Sequence, residues 1–157
     1  MKEPQRIQKL LRDLYDGSPW IEVTLMEKLH GLSAEQAGKK LFPDWNSIWQ
    51  IVNHLAKWRM EVLSRVNGEV TTSPDDNFFG PLEDPSEEAW QQALAELRES
   101  QKEWMGFLET FPEQDLEKVY PGNRMTYYEH ILGIVQHDAY HLGQIALLAK
   151  AGSRPVA

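Results

Sequence analysis

The sequence predicts an all-α protein, a four-helix bundle with short extra helices. Three observations carry that prediction. Apolar residues recur at three- and four-residue intervals along the long segments. Proline, glycine and N-capping pairs punctuate the boundaries between them. No stretch alternates apolar and polar residues in the manner of a half-buried strand. A chain of 157 residues fits one domain, 1–157, with room for a true core. Its 41% hydrophobic and 25% charged residues are ordinary for a globular protein.

Ile7, Leu10, Leu11 and Leu14 put a first helix over about Pro4 to Tyr15. Asp16-Gly17-Ser18-Pro19 interrupts it, and Ser18 with Pro19 can open a second helical piece. That piece carries Trp20, Val23, Leu25, Met26 and Leu29, and ends at Gly31. Ser33 and Gln36 have capping-box spacing for a short helix to Lys39. Ser47 and Gln50 repeat that spacing before a long stripe, Ile48, Ile51, Val52, Leu55, Trp58, Val62, Leu63 and Val66, which Gly68 ends. An irregular stretch, Glu69 to about Glu83, holds Phe78 and Phe79, unusual in a solvated loop and suited to a mobile flap. Asp84-Pro85 with Glu87 predicts the next helix start, and Trp90, Leu94, Leu97, Trp104 and Leu108 its buried face, up to Pro112. Thr126 and Glu129 open the last helix, which runs to about Ala151.

The net charge of −8 makes phosphate backbones and anionic lipid poor partners, so neither nucleic acid nor a membrane surface is expected. Without cysteine there is no disulfide, no thiolate metal site and no cysteine nucleophile. Met1 to Asp13 lacks the apolar run of a signal peptide, and no segment approaches a membrane span, so a cytoplasmic protein is expected.

The chemistry gathers in Gln136-His137-Asp138-Ala139-Tyr140-His141-Leu142-Gly143-Gln144. On a helix, His137 and His141 are separated by a rise of roughly 6 Å and a rotation of about 40°, so they leave one face. Two such imidazoles can share one ion at about 2.0–2.1 Å. His54, near the apolar stripe of the Ser47 helix, is the natural third ligand. Three neutral imidazoles leave open coordination positions, as catalytic sites do. The ion would then activate its own water, or a thiolate supplied from outside. Asp138 stands where a zincin has glutamate, so no catalytic glutamate is implied.

Other residues keep two readings. His130 either supports the metal pocket or simply begins the last helix. Gln144 either orients an imidazole or bound water, or is a helix-packing amide. Trp58 either lines the pocket or packs in the core, where most of the six tryptophans are expected. Asp138 could receive an imidazole N–H from a ligand, but it diverges from His137 by about 100° and is expected in solvent. Glu27 and His30 have di-iron spacing, but no second such motif accompanies them, so a di-iron site is excluded.

Ser47-Ile48-Trp49-Gln50-Ile51-Val52-Asn53-His54-Leu55 and His137-x-x-x-His141-x-x-Gln144, in this order and on the second and last long helices, resemble the DinB/YfiT-like superfamily of metal-dependent proteins. The resemblance covers nearly the whole chain. It implies up-down-down-up connectivity and one divalent metal, zinc, nickel or similar, on His54, His137 and His141. It also implies a thiol S-transferase, an isomerase or a hydrolase, with an external low-molecular-weight thiol such as bacillithiol, mycothiol or glutathione as a cofactor in some members, and a homodimer. The expectation is an enzyme acting on an electrophilic small molecule through metal-bound water, with support from Gln144. The rival is a non-catalytic metal-binding or dimeric interaction bundle, and a closed structural site would draw a fourth ligand from His130 or a carboxylate.

Overall fold

The computed structural model describes residues 1–153. Among them lie six α-helices and no strand; Val119 and Thr126 form an isolated bridge. Four helices are long: α1 (Glu3–Tyr15), α4 (Ile48–Val66), α5 (Glu87–Thr110) and α6 (Tyr127–Gly152). Two are short, α2 (Leu25–Leu29) and α3 (Ala34–Gly38), and a 3-10 turn covers Glu113–Glu117. None is long and apolar enough to cross a membrane.

Capping chemistry sets most of the boundaries. Ser33 with Gln36, Ser47 with Gln50 and Thr126 with Glu129 each form both arms of a capping box, starting α3, α4 and α6. Gly68 follows α4 at φ 96°, a conformation that costs glycine little. The last helix takes in Gly152 and is capped by Ser153.

Two expected helix starts are corrected. The second helix does not open at Ser18-Pro19. Pro19 and Glu22 close a turn, Glu22 takes a left-handed φ of 57°, and Thr24 caps α2 by accepting from the Glu27 N–H at 3.1 Å. Trp20 is left in solvent, 96% exposed, and Trp45 is exposed too, so only Trp49, Trp90 and Trp104 are core tryptophans. The α5 start shifts from Asp84 to Ser86, which accepts from Ala89. Glu87 is drawn away to accept the Ala34 N–H of α3 at 2.8 Å, and Asp84 accepts from Ser86 instead.

The long helices pack in four pairs: α4 with α5 and α6, and α1 with α5 and α6. The α1 and α5 helices are antiparallel, since Gln5 donates to the Leu108 carbonyl and Gln8 to that of Met105. In contrast, α4 and α5 run parallel: Trp49 packs on Trp90, and further along Trp104 donates to the Arg59 carbonyl. A parallel pair obliges the chain to return the length of α4, about 28 Å at 1.5 Å per residue. Residues 67–86 make that return, and their length has this topological cause.

The core has two apolar halves. One gathers Leu25, Trp49, Val52, Leu55, Trp90, Leu97, Leu142 and Ile145; the other gathers Ile7, Leu11, Val62, Trp104, Leu108, Ile131 and Ile134. Between them, at the waist, sit buried polar groups: Arg59 of α4, Ser100 and Gln101 of α5, and Asp138 of α6. Both Arg59 and Asp138 are 0% exposed. This corrects the expectation of a solvated Asp138. Turning away from the face of His137 points it into the core, where Arg59 receives it.

Candidate metal centre

The same waist carries the three histidines. His54 projects from α4, and His137 and His141 from successive turns of α6, with ring centroids 4.5–4.8 Å apart. One nitrogen from each lies within 4.8 Å of the others, a span that suits a single ion, and no fourth His, Cys, Asp or Glu joins the group among the described residues. His54 and His141 are buried, and His137 is partly open to the cavity.

The ring nitrogens of His54 and His141 have assignable roles. The His54 Nδ1–H donates to the Asn77 carbonyl at 2.7 Å, and the His141 Nδ1–H donates to Gln144 Oε1 at 2.7 Å. These bonds fix the tautomers that leave Nε2 bare for a ligand role. Burial depresses the His54 pKa to about 4, against the partial support of the Asn77 bond. His141 is lowered for the same reason, against the Gln144 bond. Both are therefore neutral near pH 7, the form that binds metal. His130 stands apart: it contacts Asn123 at 3.2 Å, packs edge-on against Tyr120, and only lines the cavity wall.

The long return loop forms the other side. Phe79 stacks on His54 with centroids 3.9 Å apart and planes within 10°. The Trp58 indole N–H donates to Asn77 Oδ1 at 2.9 Å, and Phe78 meets Trp58 edge-on. Asn77 and Phe78 have φ of 52° and 61°, an uphill conformation for residues with a Cβ. Asp76 holds them there, accepting from the Phe78 N–H through Oδ1 and from the Phe79 N–H through its carbonyl. Gln50 donates to the Gly80 carbonyl and anchors the far end.

The histidines open on a cavity of about 570 Å³, a size that holds a small molecule. Trp58, Val62, Phe79 and Ile134 make its apolar wall, and Asn46, Arg65, Asn123 and Glu129 give it polar rims. Trp58 thus lines the pocket. Glu27 and His30 are exposed and take no part.

The deciding comparison is a sequence model of the DinB superfamily, which matches residues 22–145. The chain belongs to the DinB superfamily. No curated protein and no solved structure matches it. The superfamily match takes in α4, the loop between α4 and α5, and α6 as far as Ile145, so it covers every residue of the triad. The sequence pattern singles out Phe79 but neither Asn77 nor Arg59. Asn77 acts through a backbone carbonyl, which no side-chain pattern reveals. Arg59 did leave a signal, since it falls four residues after Leu55 and three before Val62, on the apolar stripe of α4.

The His54 environment predicts a pH dependence. The unfolded chain binds a proton at this residue below about pH 6.5, whereas the folded one resists until about 4. The native state is favoured fully above pH 6.5 and loses this advantage as the pH falls towards 4. With chelator present, we expect unfolding free energy to drop by about 2–3 kcal/mol across that window. Urea unfolding at several pH values, compared with His54→Phe, measures the histidine's share.

Proposed function

We propose that this DinB superfamily member is a metal-dependent enzyme of the thiol S-transferase or hydrolase type, acting on an electrophilic small molecule. In this reading the chain is one helical domain of up-down-down-up connectivity, and His54, His137 and His141 hold one divalent ion, zinc, nickel or similar. The carrying observation is the convergence of three imidazoles, with no fourth protein ligand among the described residues, on the wall of a cavity of small-molecule size.

The bound ion would supply Lewis acidity, lowering the pKa of a coordinated water or of an incoming low-molecular-weight thiol. The chain's own residues do the rest. Asn77 and Gln144 hold two imidazoles with Nδ1 protonated and Nε2 presented. Phe79 and Trp58 exclude water from one side, which strengthens polar interactions within the site. Arg65, held by Glu61 and Ser73 and lying over the Trp58 ring, offers a positive rim to a polar or anionic end of the substrate.

Manganese titration with water-proton relaxation tests this reading. The expected result is about one tight ion per chain carrying at least one exchangeable water. Failure to bind manganese, zinc or nickel would remove the metal centre. Tight binding without exchangeable water would make the site structural and end the catalytic reading.

A further inference from the structure

Four buried side-chain atoms among the described residues lack a hydrogen-bond partner, on Tyr15, Gln101, His137 and Asp138, and the last two face one another. His137 Nδ1 and Asp138 Oδ1 are 3.9 Å apart, and both are orphaned. The other carboxylate oxygen of Asp138 is fully used, taking Arg59 Nε at 3.0 Å and Nη2 at 2.5 Å. Arg59 also reaches Ser100. The carboxylate is thus clamped from behind with one oxygen left over. Buried polar atoms are rarely left unpaired, so this pair calls for a cause.

The tautomers supply it. His54 Nε2 and His137 Nε2 lie 2.9 Å apart, and two bare nitrogens do not approach so closely without a proton or a cation between them. The Asn77 carbonyl takes the His54 proton on Nδ1, so in the metal-free chain the bridging proton belongs to His137 Nε2. In a neutral His137 ring, Nδ1 is then bare. It presents a lone pair to the lone pairs of Asp138 Oδ1, and the two stand off. A cation shared by the three Nε2 atoms requires the opposite tautomer of His137, with the hydrogen on Nδ1.

We propose that Asp138, braced by Arg59, is the positioning residue of His137: its Oδ1 accepts the Nδ1–H that His137 must carry once Nε2 ligates a metal. The exchange leaves the ring neutral, one proton leaving Nε2 for solvent and one arriving at Nδ1. The same carboxylate that stands off in one tautomer becomes the acceptor in the other. Each ligand imidazole then has its own anchor: the Asn77 carbonyl, the Gln144 amide and the Asp138 carboxylate. The carboxylate is the strongest acceptor of the three and raises the basicity of its histidine most.

The inference rests on the three-histidine metal reading, and the test separates the two. Full-length protein labelled with ¹⁵N-histidine is observed by NMR with chelator and then with zinc. Zinc affinity is measured in parallel for the native chain, Asp138→Asn and the double variant Arg59→Met/Asp138→Leu. The double variant removes both buried charges together and keeps the test valid if Asp138→Asn does not fold. The expected result is a His137 tautomer moving from Nε2–H to Nδ1–H on zinc addition, with zinc affinity reduced about 10–100-fold in the folded variants. Zinc binding with native affinity in the variants, or a His137 Nδ1 that carries no hydrogen in the zinc form, overturns the positioning role and leaves the metal site standing. Absence of zinc binding in the native chain overturns the metal reading itself, and the positioning role with it.

Discussion

Arg59→Ala is expected to destabilise the fold by about 3–5 kcal/mol, the cost of stripping a buried charge of its partner. Asp138 is 0% exposed, and its carboxylate lies below its ordinary pKa: burial opposes ionisation, but its favourable neighbours, the Arg59 charge first and His137 after it, outweigh burial. Removing the guanidinium takes away the largest of those supports. It also opens a void between the two apolar core halves and removes the cation that lies 5.7 Å from the Tyr15 ring. The double variant Arg59→Met/Asp138→Leu separates these causes. It fills the space and leaves no charge, so it is expected to stay within about 1 kcal/mol of the native chain. Urea unfolding with chelator present measures both. A single variant that loses less than about 1 kcal/mol would mean that water or another group already solvates Asp138.

That pair also marks where sequence reasoning stops. The capping boxes at Ser47 and Thr126 were legible because every partner lies within one helical turn. They place His54 in the second turn of α4, and His137 and His141 in the middle of α6. The box at Asp84 failed for the opposite reason. Glu87 was taken by the Ala34 N–H, 53 residues away, and no local pattern announces such a competitor. Asp138 failed in a subtler way. Helical geometry showed that it leaves the face of His137, but three directions remain around a helix, and solvent is only one of them. The direction was decided by Arg59, 79 residues distant. The unpaired arginine inside the α4 stripe and the aspartate inside the α6 motif were each odd alone, and together they made a pair.

The loop shows the same division. Its length and its two phenylalanines were visible, but not its job. Because α4 and α5 run parallel, the chain has to travel back along α4, and this brings residues 77–79 over His54. The Asn77 carbonyl that sets the His54 tautomer is therefore a consequence of topology. The left-handed backbone at Asn77 and Phe78 is the local cost of presenting that carbonyl inward.

Replacing any one of His54, His137 or His141 by alanine is expected to lower divalent-metal affinity by more than 100-fold. Loss of an outer hydrogen-bond partner alone costs about 10–100-fold, and loss of a ligand removes the bond that the partner only orients. Native protein is expected to carry about one ion per chain and each variant almost none. Gln144→Ala should fall between, since it removes only the acceptor of the His141 Nδ1–H. His30→Ala should bind as the native chain does, because His30 is exposed at the end of α2 and lies outside the cavity. A second readout guards against misfolded variants. Metal that binds only the folded state raises its stability by about 2.7 kcal/mol at a hundredfold excess over Kd. The native chain and His30→Ala should show that rise on titration with zinc, and the three ligand variants should stay flat while unfolding cooperatively with chelator present. Full metal content in all three variants would place the ion elsewhere and leave the histidine cluster as a packed polar waist.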